Sequence, residues 1–154
     1  MTSGAFVPSL GCYLWIEWRE GMVTRIYFSQ DMPVDISELA LEIAAYLEWG
    51  APCPKAELDM SECTDFQKQI YAQVQAIPRG KTMTYSQVAE RAGKPGAARA
   101  VGRAMATNPF AILVPCHRVV AKKGLGGYLW GTEMKEKLLR LERESSTEKS
   151  QCER

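Results

Sequence analysis

Apolar side chains crowd two early stretches, Cys12 to Trp18 and Met22 to Phe28, both rich in β-branched and aromatic residues. Glu20-Gly21 between them is a turn signal, so these stretches predict a β-hairpin. The pattern then changes. Ile36, Leu39, Ala40, Ile43 and Leu47 recur at helical spacing, and Asp35 with Glu38 reads as an acidic capping box at the helix start. Gly50-Ala51-Pro52-Cys53-Pro54 ends that helix and opens a linker. Helical spacing resumes with Phe66, Ile70, Val74 and Ile77 behind a second capping box, Thr64 with Gln67, and stops at Pro78-Arg79-Gly80. Thr84 with Gln87 opens a short helix ending at Gly93, and Pro95-Gly96 leads into another over residues 97–107. Two short helices joined by a Gly-containing turn fit a helix-turn-helix. A last helix over residues 132–144 is expected to bury Met134, Leu138 and Leu141. The expected fold class is therefore α+β. A small N-terminal α/β domain (residues 1–58) precedes a mostly helical C-terminal domain with the helix-turn-helix (59–144), and a polar, frayed tail (145–154) follows.

Charge sharpens this division. Residues 1–61 carry three basic and nine acidic side chains, whereas residues 62–144 carry fourteen basic and seven acidic ones. A basic half beside an acidic one suits a polyanionic partner, and also mutual attraction of the halves. No apolar run approaches the ~20 residues that span a bilayer, and the start of the chain lacks a signal-peptide pattern. The expected setting is cytoplasmic (nuclear in a eukaryote), with no membrane partner. Cys12, Cys53, Cys63 and Cys152 are scattered and read as reduced thiols. With a single histidine in the chain, a zinc site would need mostly cysteine or carboxylate ligands, so no metal and no cofactor are expected.

That histidine directly follows a cysteine, in Val114-Pro115-Cys116-His117-Arg118-Val119. A thiol is a strong nucleophile only as thiolate, and an imidazole that takes its proton or a guanidinium that stabilises the anion favours that form. Upstream, residues 97–106 are mostly Ala and Gly, with Arg99 and Arg103 four apart. Small side chains let a helix backbone approach a surface closely, and few long polar groups are left to read base edges in a major groove.

Pro115-Cys116-His117-Arg118-Val119 followed by Gly126-Gly127-Tyr128, with Asn108-Pro109, Gly80 to Ala89 and Ala97 to Met105 upstream, resembles the O6-alkylguanine-DNA alkyltransferases. The resemblance runs from about Thr64 to Glu142. It implies a ribonuclease H-like N-terminal domain; the sequence itself carries no clear oligomer signal, and a monomer is expected. The implied activity is direct reversal of damage: the alkyl group of a flipped-out O6-alkylguanine moves irreversibly to Cys116, once per molecule. The implied partner is double-stranded DNA bound through its minor groove by Ala97, Arg99, Arg103 and Tyr85, with Arg99 entering the base stack and Tyr85 aiding flipping. The implied relay runs from Cys116 through a water and His117 to Glu142, with Tyr85 placed to protonate the departing guanine. Carbonyls of Cys116 and Val119, the Leu129 N–H and Tyr128 would line the guanine pocket, while Asn108 has a structural part. The loop Ala121 to Leu125 is shorter than the resemblance leads one to expect, which bears on pocket size. Two other classes compete. A non-catalytic lesion sensor would replace the acceptor cysteine, which is present here. A Cys-His hydrolase would turn over repeatedly and has no use for the helix-turn-helix.

Overall fold

The computed structural model describes residues 1–145. It combines a small antiparallel sheet with five α-helices. Strands β1 (Thr2–Val7), β2 (Cys12–Arg19) and β3 (Met22–Ser29) form a meander in that order. The predicted hairpin is present, and its loop Glu20-Gly21 has φ of 54° and 80°. Two successive positive φ values match the right-handed strand twist, which Gly tolerates without cost. Strand β1 was not expected. Its Gly4 is required by contact, because a Cβ there would lie 2.5 Å from the Leu14 carbonyl oxygen.

Helix α1 (Glu38–Trp49) covers the sheet through Leu39, Ala40, Ile43, Tyr46 and Leu47. Its start corrects the expected Asp35–Glu38 box. Ser37 is the cap, its hydroxyl accepting from the Ala40 N–H at 3.1 Å. Asp35 lies two residues before that cap, where its carbonyl accepts from Gly4. Ile36 therefore precedes the helix and is exposed rather than in the core. Gly50 ends α1 at φ 72°, as its sequence position suggests.

Helix α2 (Asp65–Gln75) and α3 (Tyr85–Arg91) both begin with complete capping boxes, Thr64 with Gln67 and Thr84 with Gln87. Such a cap contributes about 1 kcal/mol to a short helix. Helix α4 (Ala98–Ala106) packs against α3 and α2 and buries Val101, Ala104 and Met105. Helix α5 (Thr132–Ser145) fully buries Leu138, while Met134 and Leu141 are only half-buried. The expected tail after Glu144, with Cys152, lies outside the described residues except for Ser145.

Two short strands position the chemistry. β4 (Met83–Thr84) pairs in parallel with β5 (Val119–Val120), Met83 opposite Val119. Tyr85 directly follows β4, and a 3₁₀ turn, Cys116–Arg118, directly precedes β5. The ladder thus fixes Tyr85 beside the Cys116 turn. The sheet is tied to the same region where the Ile26 N–H donates to the Pro109 carbonyl at 2.8 Å. Buried side chains from sheet, α1, α2, α3, α4 and α5 join in one connected core. No helix among the described residues is long and apolar enough to cross a membrane.

Candidate active site

Asn108 organises the segment that carries the thiol. Its amide donates to the Val114 carbonyl at 2.9 Å, and its Oδ1 accepts from the Phe110 N–H at 2.9 Å. Between these anchors Ile112 adopts φ 74°, a backbone state that β-branched residues rarely enter. The loop is thus clamped on both sides of a strained residue, and Cys116 is delivered to the floor of a cavity of about 280 Å³. That cavity is lined by Tyr85, Gly102, Met105 and Ala106 on one side and Gly127, Tyr128 and Leu129 on the other. The small residues of α4 thus border the cavity above Cys116. Tyr85 reaches it only because position 126 is Gly: a Cβ there would lie 2.7 Å from the Tyr85 hydroxyl, and φ is 76°.

Behind the turn lies a buried ionic network. His117 Nε2 meets Glu142 Oε2 at 2.8 Å, and both side chains are fully buried. Arg118 donates from Nε to Glu142 Oε1 at 2.9 Å and from Nη2 to Oε2 at 2.8 Å. It also reaches the Ile77 carbonyl at 2.7 Å and the Tyr46 hydroxyl at 2.6 Å. A carboxylate with three hydrogen bonds from two partners, two of them from a guanidinium, is well compensated for burial. Burial opposes its charge, but His117 and Arg118 hold the Glu142 carboxyl far below the usual carboxylate range. His117 is pushed down by burial, only partly opposed by Glu142, so it is neutral at pH 7. If Nε2 donates to Glu142, the buried Nδ1, which has no hydrogen-bond partner, is left as a base.

This arrangement changes two expectations. Arg118 does not face the thiol; its guanidinium is committed to Glu142, Ile77 and Tyr46. The cation that acts on Cys116 is Lys135 of α5, fully buried, with Nζ donating to the Val119 carbonyl at 2.7 Å and the Gly127 carbonyl at 2.9 Å. Burial pulls Lys135 down to about 8, against the attraction of Cys116. Second, the resting thiol is not depressed. Burial pushes Cys116 up, opposed by an Asn108 hydrogen bond, by Lys135 and by its own backbone. At rest the site holds a protonated thiol beside a neutral imidazole. The lysine was missed in the sequence, although residues 135, 138, 139 and 142 form one helical stripe that carries two charged side chains.

Of the remaining named residues, Tyr85, Tyr128 and Leu129 line the cavity, whereas Ala97, Arg99, Arg103 and Val119 do not. Ala97 precedes α4 as its cap residue, without a side-chain cap, and Arg99 and Arg103 project from the exposed face of that helix. Tyr85 is half-buried, its hydroxyl pushed up by burial and by Cys116. The Tyr128 hydroxyl is buried and likewise pushed up. Val119 is buried, and Leu129 is exposed at the rim. Among the described residues no cluster of His, Cys, Asp and Glu is arranged to hold a metal ion.

The family described as 6-O-methylguanine DNA methyltransferase, DNA binding domain, matches residues 65–144, just over half of the chain. A methylated-DNA–protein-cysteine methyltransferase of Methanothermobacter thermautotrophicus is 45% identical over 82% of this chain and 77% of its own length. The chain belongs to this methyltransferase family. The namesake from Mycolicibacterium paratuberculosis is 50% identical over 58% of the chain and 54% of its own length. The chain spans about half the length of several curated relatives it matches. Among solved structures, Mycobacterium tuberculosis OGT in complex with DNA superposes with a TM-score of 0.82 at 33% identity, over 94% of this chain and 93% of that one. The family's mixed α/β architecture is therefore present across nearly the whole chain.

Proposed function

We propose that the protein repairs DNA by moving the alkyl group of O6-alkylguanine to Cys116, irreversibly and once per molecule. The observation that carries this reading is the pairing of a buried thiol on a cavity floor with a His117–Glu142 couple behind it. Sulfur attacks the alkyl carbon as the carbon–O6 bond breaks. The thiol proton passes through a water to His117 Nδ1, and Glu142 and Arg118 stabilise and orient the resulting imidazolium. The departing guanine takes a proton from the Tyr85 hydroxyl, which is restored from solvent. Because the thiol stands protonated at rest, its proton leaves only when an alkyl carbon is in place, which limits reaction with other electrophiles. The thioether has no hydrolytic exit from this site.

In this reading residues 1–58 form a ribonuclease H-like domain and residues 59–144 the DNA-binding and acceptor domain. Helices α3 and α4 act as a helix-turn-helix, with α4 lying in the minor groove of duplex DNA. Arg99 occupies the space of the flipped nucleotide, Arg103 contacts phosphate, and Ala97 permits close approach. The guanine is held by the Cys116 and Val119 carbonyls, the Leu129 N–H and Tyr128, and the protein acts as a monomer. M. tuberculosis OGT was solved in complex with DNA, which supports the same partner here.

Incubation with excess labelled O6-methylguanine duplex tests the proposal. One label per protein, found on the Cys116 peptide by mass spectrometry, is expected. Cys116→Ser should abolish transfer and keep duplex binding. Repeated turnover would indicate a hydrolase, and binding without label would indicate a lesion sensor.

A further inference from the structure

We propose that Tyr46 is a positioning residue for alkyl transfer, holding from α1 the guanidinium that in turn holds Glu142. The inference rests on the alkyl-transfer reading of the Cys116 site. Its basis is a continuous chain of buried contacts. The Arg118 Nη2 group donates both to the Tyr46 hydroxyl, at 2.6 Å, and to Glu142 Oε2, at 2.8 Å. That same Oε2 meets His117 Nε2 at 2.8 Å. Three short links therefore connect a tyrosine of the N-terminal half to the proposed base. Tyr46 lies outside residues 65–144, the segment matched by the family's DNA-binding domain.

The geometry makes Tyr46 more than packing. A guanidinium is planar, and its Nε/Nη2 edge is taken up by the carboxylate. Its orientation is then fixed by what its outer N–H groups reach, here the Ile77 carbonyl and the Tyr46 hydroxyl. The tyrosine is itself held. Its ring is buried, Arg79 lies 4.8 Å above it, and Arg79 Nη2 donates to the Leu47 carbonyl at 3.4 Å. Burial raises the hydroxyl, with Arg118 opposing and Glu142 and Cys53 reinforcing, so it stays protonated across the working pH range. Loss of the oxygen leaves an Arg118 N–H without its buried acceptor. The guanidinium then turns toward the adjoining cavity of about 770 Å³, which Tyr46 and Arg118 both border, and Glu142 follows it. His117 loses part of its orientation and of its counter-charge.

The test uses the full chain and single-turnover transfer from an O6-methylguanine duplex, measured against pH. Tyr46→Phe keeps the ring and removes only the acceptor. It is expected to slow transfer about tenfold, the effect of a hydrogen bond to a charged group. The rising limb of the pH profile should move to higher pH, with duplex affinity unchanged. In the Glu142→Gln background the same substitution should cost almost nothing further, since the two act through one chain. A fluorinated tyrosine at position 46, with a weaker acceptor oxygen and the same shape, should give an intermediate rate and guards against a folding defect. An unmoved pH profile, a loss that adds in full to that of Glu142→Gln, or an unchanged rate with the fluorinated residue would each overturn the proposal. Absence of label transfer by the unmodified protein would instead remove the alkyl-transfer reading beneath it.

Discussion

The two faces of the Cys116 turn are built on opposite electrostatic rules. The face toward the cavity has a protonated thiol, tyrosine hydroxyls and small side chains, with one lysine whose charge is weakened by burial. The face toward the core has fixed charge: Arg118 and Glu142 stay ionised because each is the other's partner. His117 is the link between them, Nε2 toward the charged face and Nδ1 without a partner. In the proposed function, this difference lets a buried thiol react without being a standing thiolate. In the proposed reaction, charge that appears on His117 is stabilised by charge already in place behind it, while the thiol stays protonated until substrate arrives, with Lys135 as the cation beside it.

Breaking the rear face should have the largest effect. Glu142→Gln leaves Arg118 buried without its carboxylate, which costs on the order of 3–5 kcal/mol of stability. The sign of the pH dependence follows from the shifts. Both Glu142 and His117 have folded pKa values below their unfolded ones, so the unfolded chain binds protons more readily. The stability these two groups contribute is full above about pH 6.5 and falls on acidification, first through His117 and then through Glu142 below about 4.5. Denaturant melts between pH 3 and 8 should show this slope, and Glu142→Gln should lose most of its acidic part. A parallel, merely lowered curve would mean that Glu142 is not held ionised.

The front face is sharpened by two smaller changes. Arg99→Ala should slow duplex repair about tenfold while sparing reaction with free O6-benzylguanine, because only duplex substrate must be unstacked. Equal losses on both would place Arg99 in folding. Lys135→Met should slow transfer at pH 7 by about three- to tenfold, since it removes the cation facing the thiol. In the unmodified protein that attraction is present below about 8 and fades above it, so the transfer rate should level off near there. The mutant's profile should instead keep rising. For folding the sign is reversed: stability rises between about 8 and 10.5, where the folded chain has released the Lys135 proton and the unfolded chain still holds it.

The smallest expected effect concerns the outer surface. Three of the fourteen basic and one of the seven acidic side chains in residues 62–144 are buried, so the outward surplus falls from seven to five. Arg103→Ala should reduce the slope of log affinity against log salt by about 0.9, the share of one phosphate contact. Titration of an undamaged duplex at several salt concentrations measures it.

How far these features were legible in the sequence depended on their range. Capping boxes at Thr64 and Thr84, the Glu20-Gly21 turn and the Gly50 stop are decided by neighbouring residues, and all are present. Strand β1 was not legible, because Ser3, Gly4 and Ala5 carry little strand signal and its formation depends on pairing with β2. Cap choice between Asp35 and Ser37 was settled by the Gly4 contact. At the site, adjacency of Cys116, His117 and Arg118 was visible, but not the direction of each side chain. A 3₁₀ turn has about three residues per turn, so successive side chains splay about 120° apart. That is why Arg118 faces the core and the cation near the thiol comes from residue 135.

The central claim is that the thiol proton leaves through His117 backed by Glu142. It is tested most directly by single-turnover transfer rates against pH for the unmodified protein, Glu142→Gln, His117→Ala and the double mutant. The relay predicts slower transfer and a limb moved to higher pH in each single mutant, with His117→Ala the more severe. The double mutant should then be little slower than His117→Ala alone, because the two residues act as one unit. Losses that simply add, or a pH profile that does not move, would contradict it.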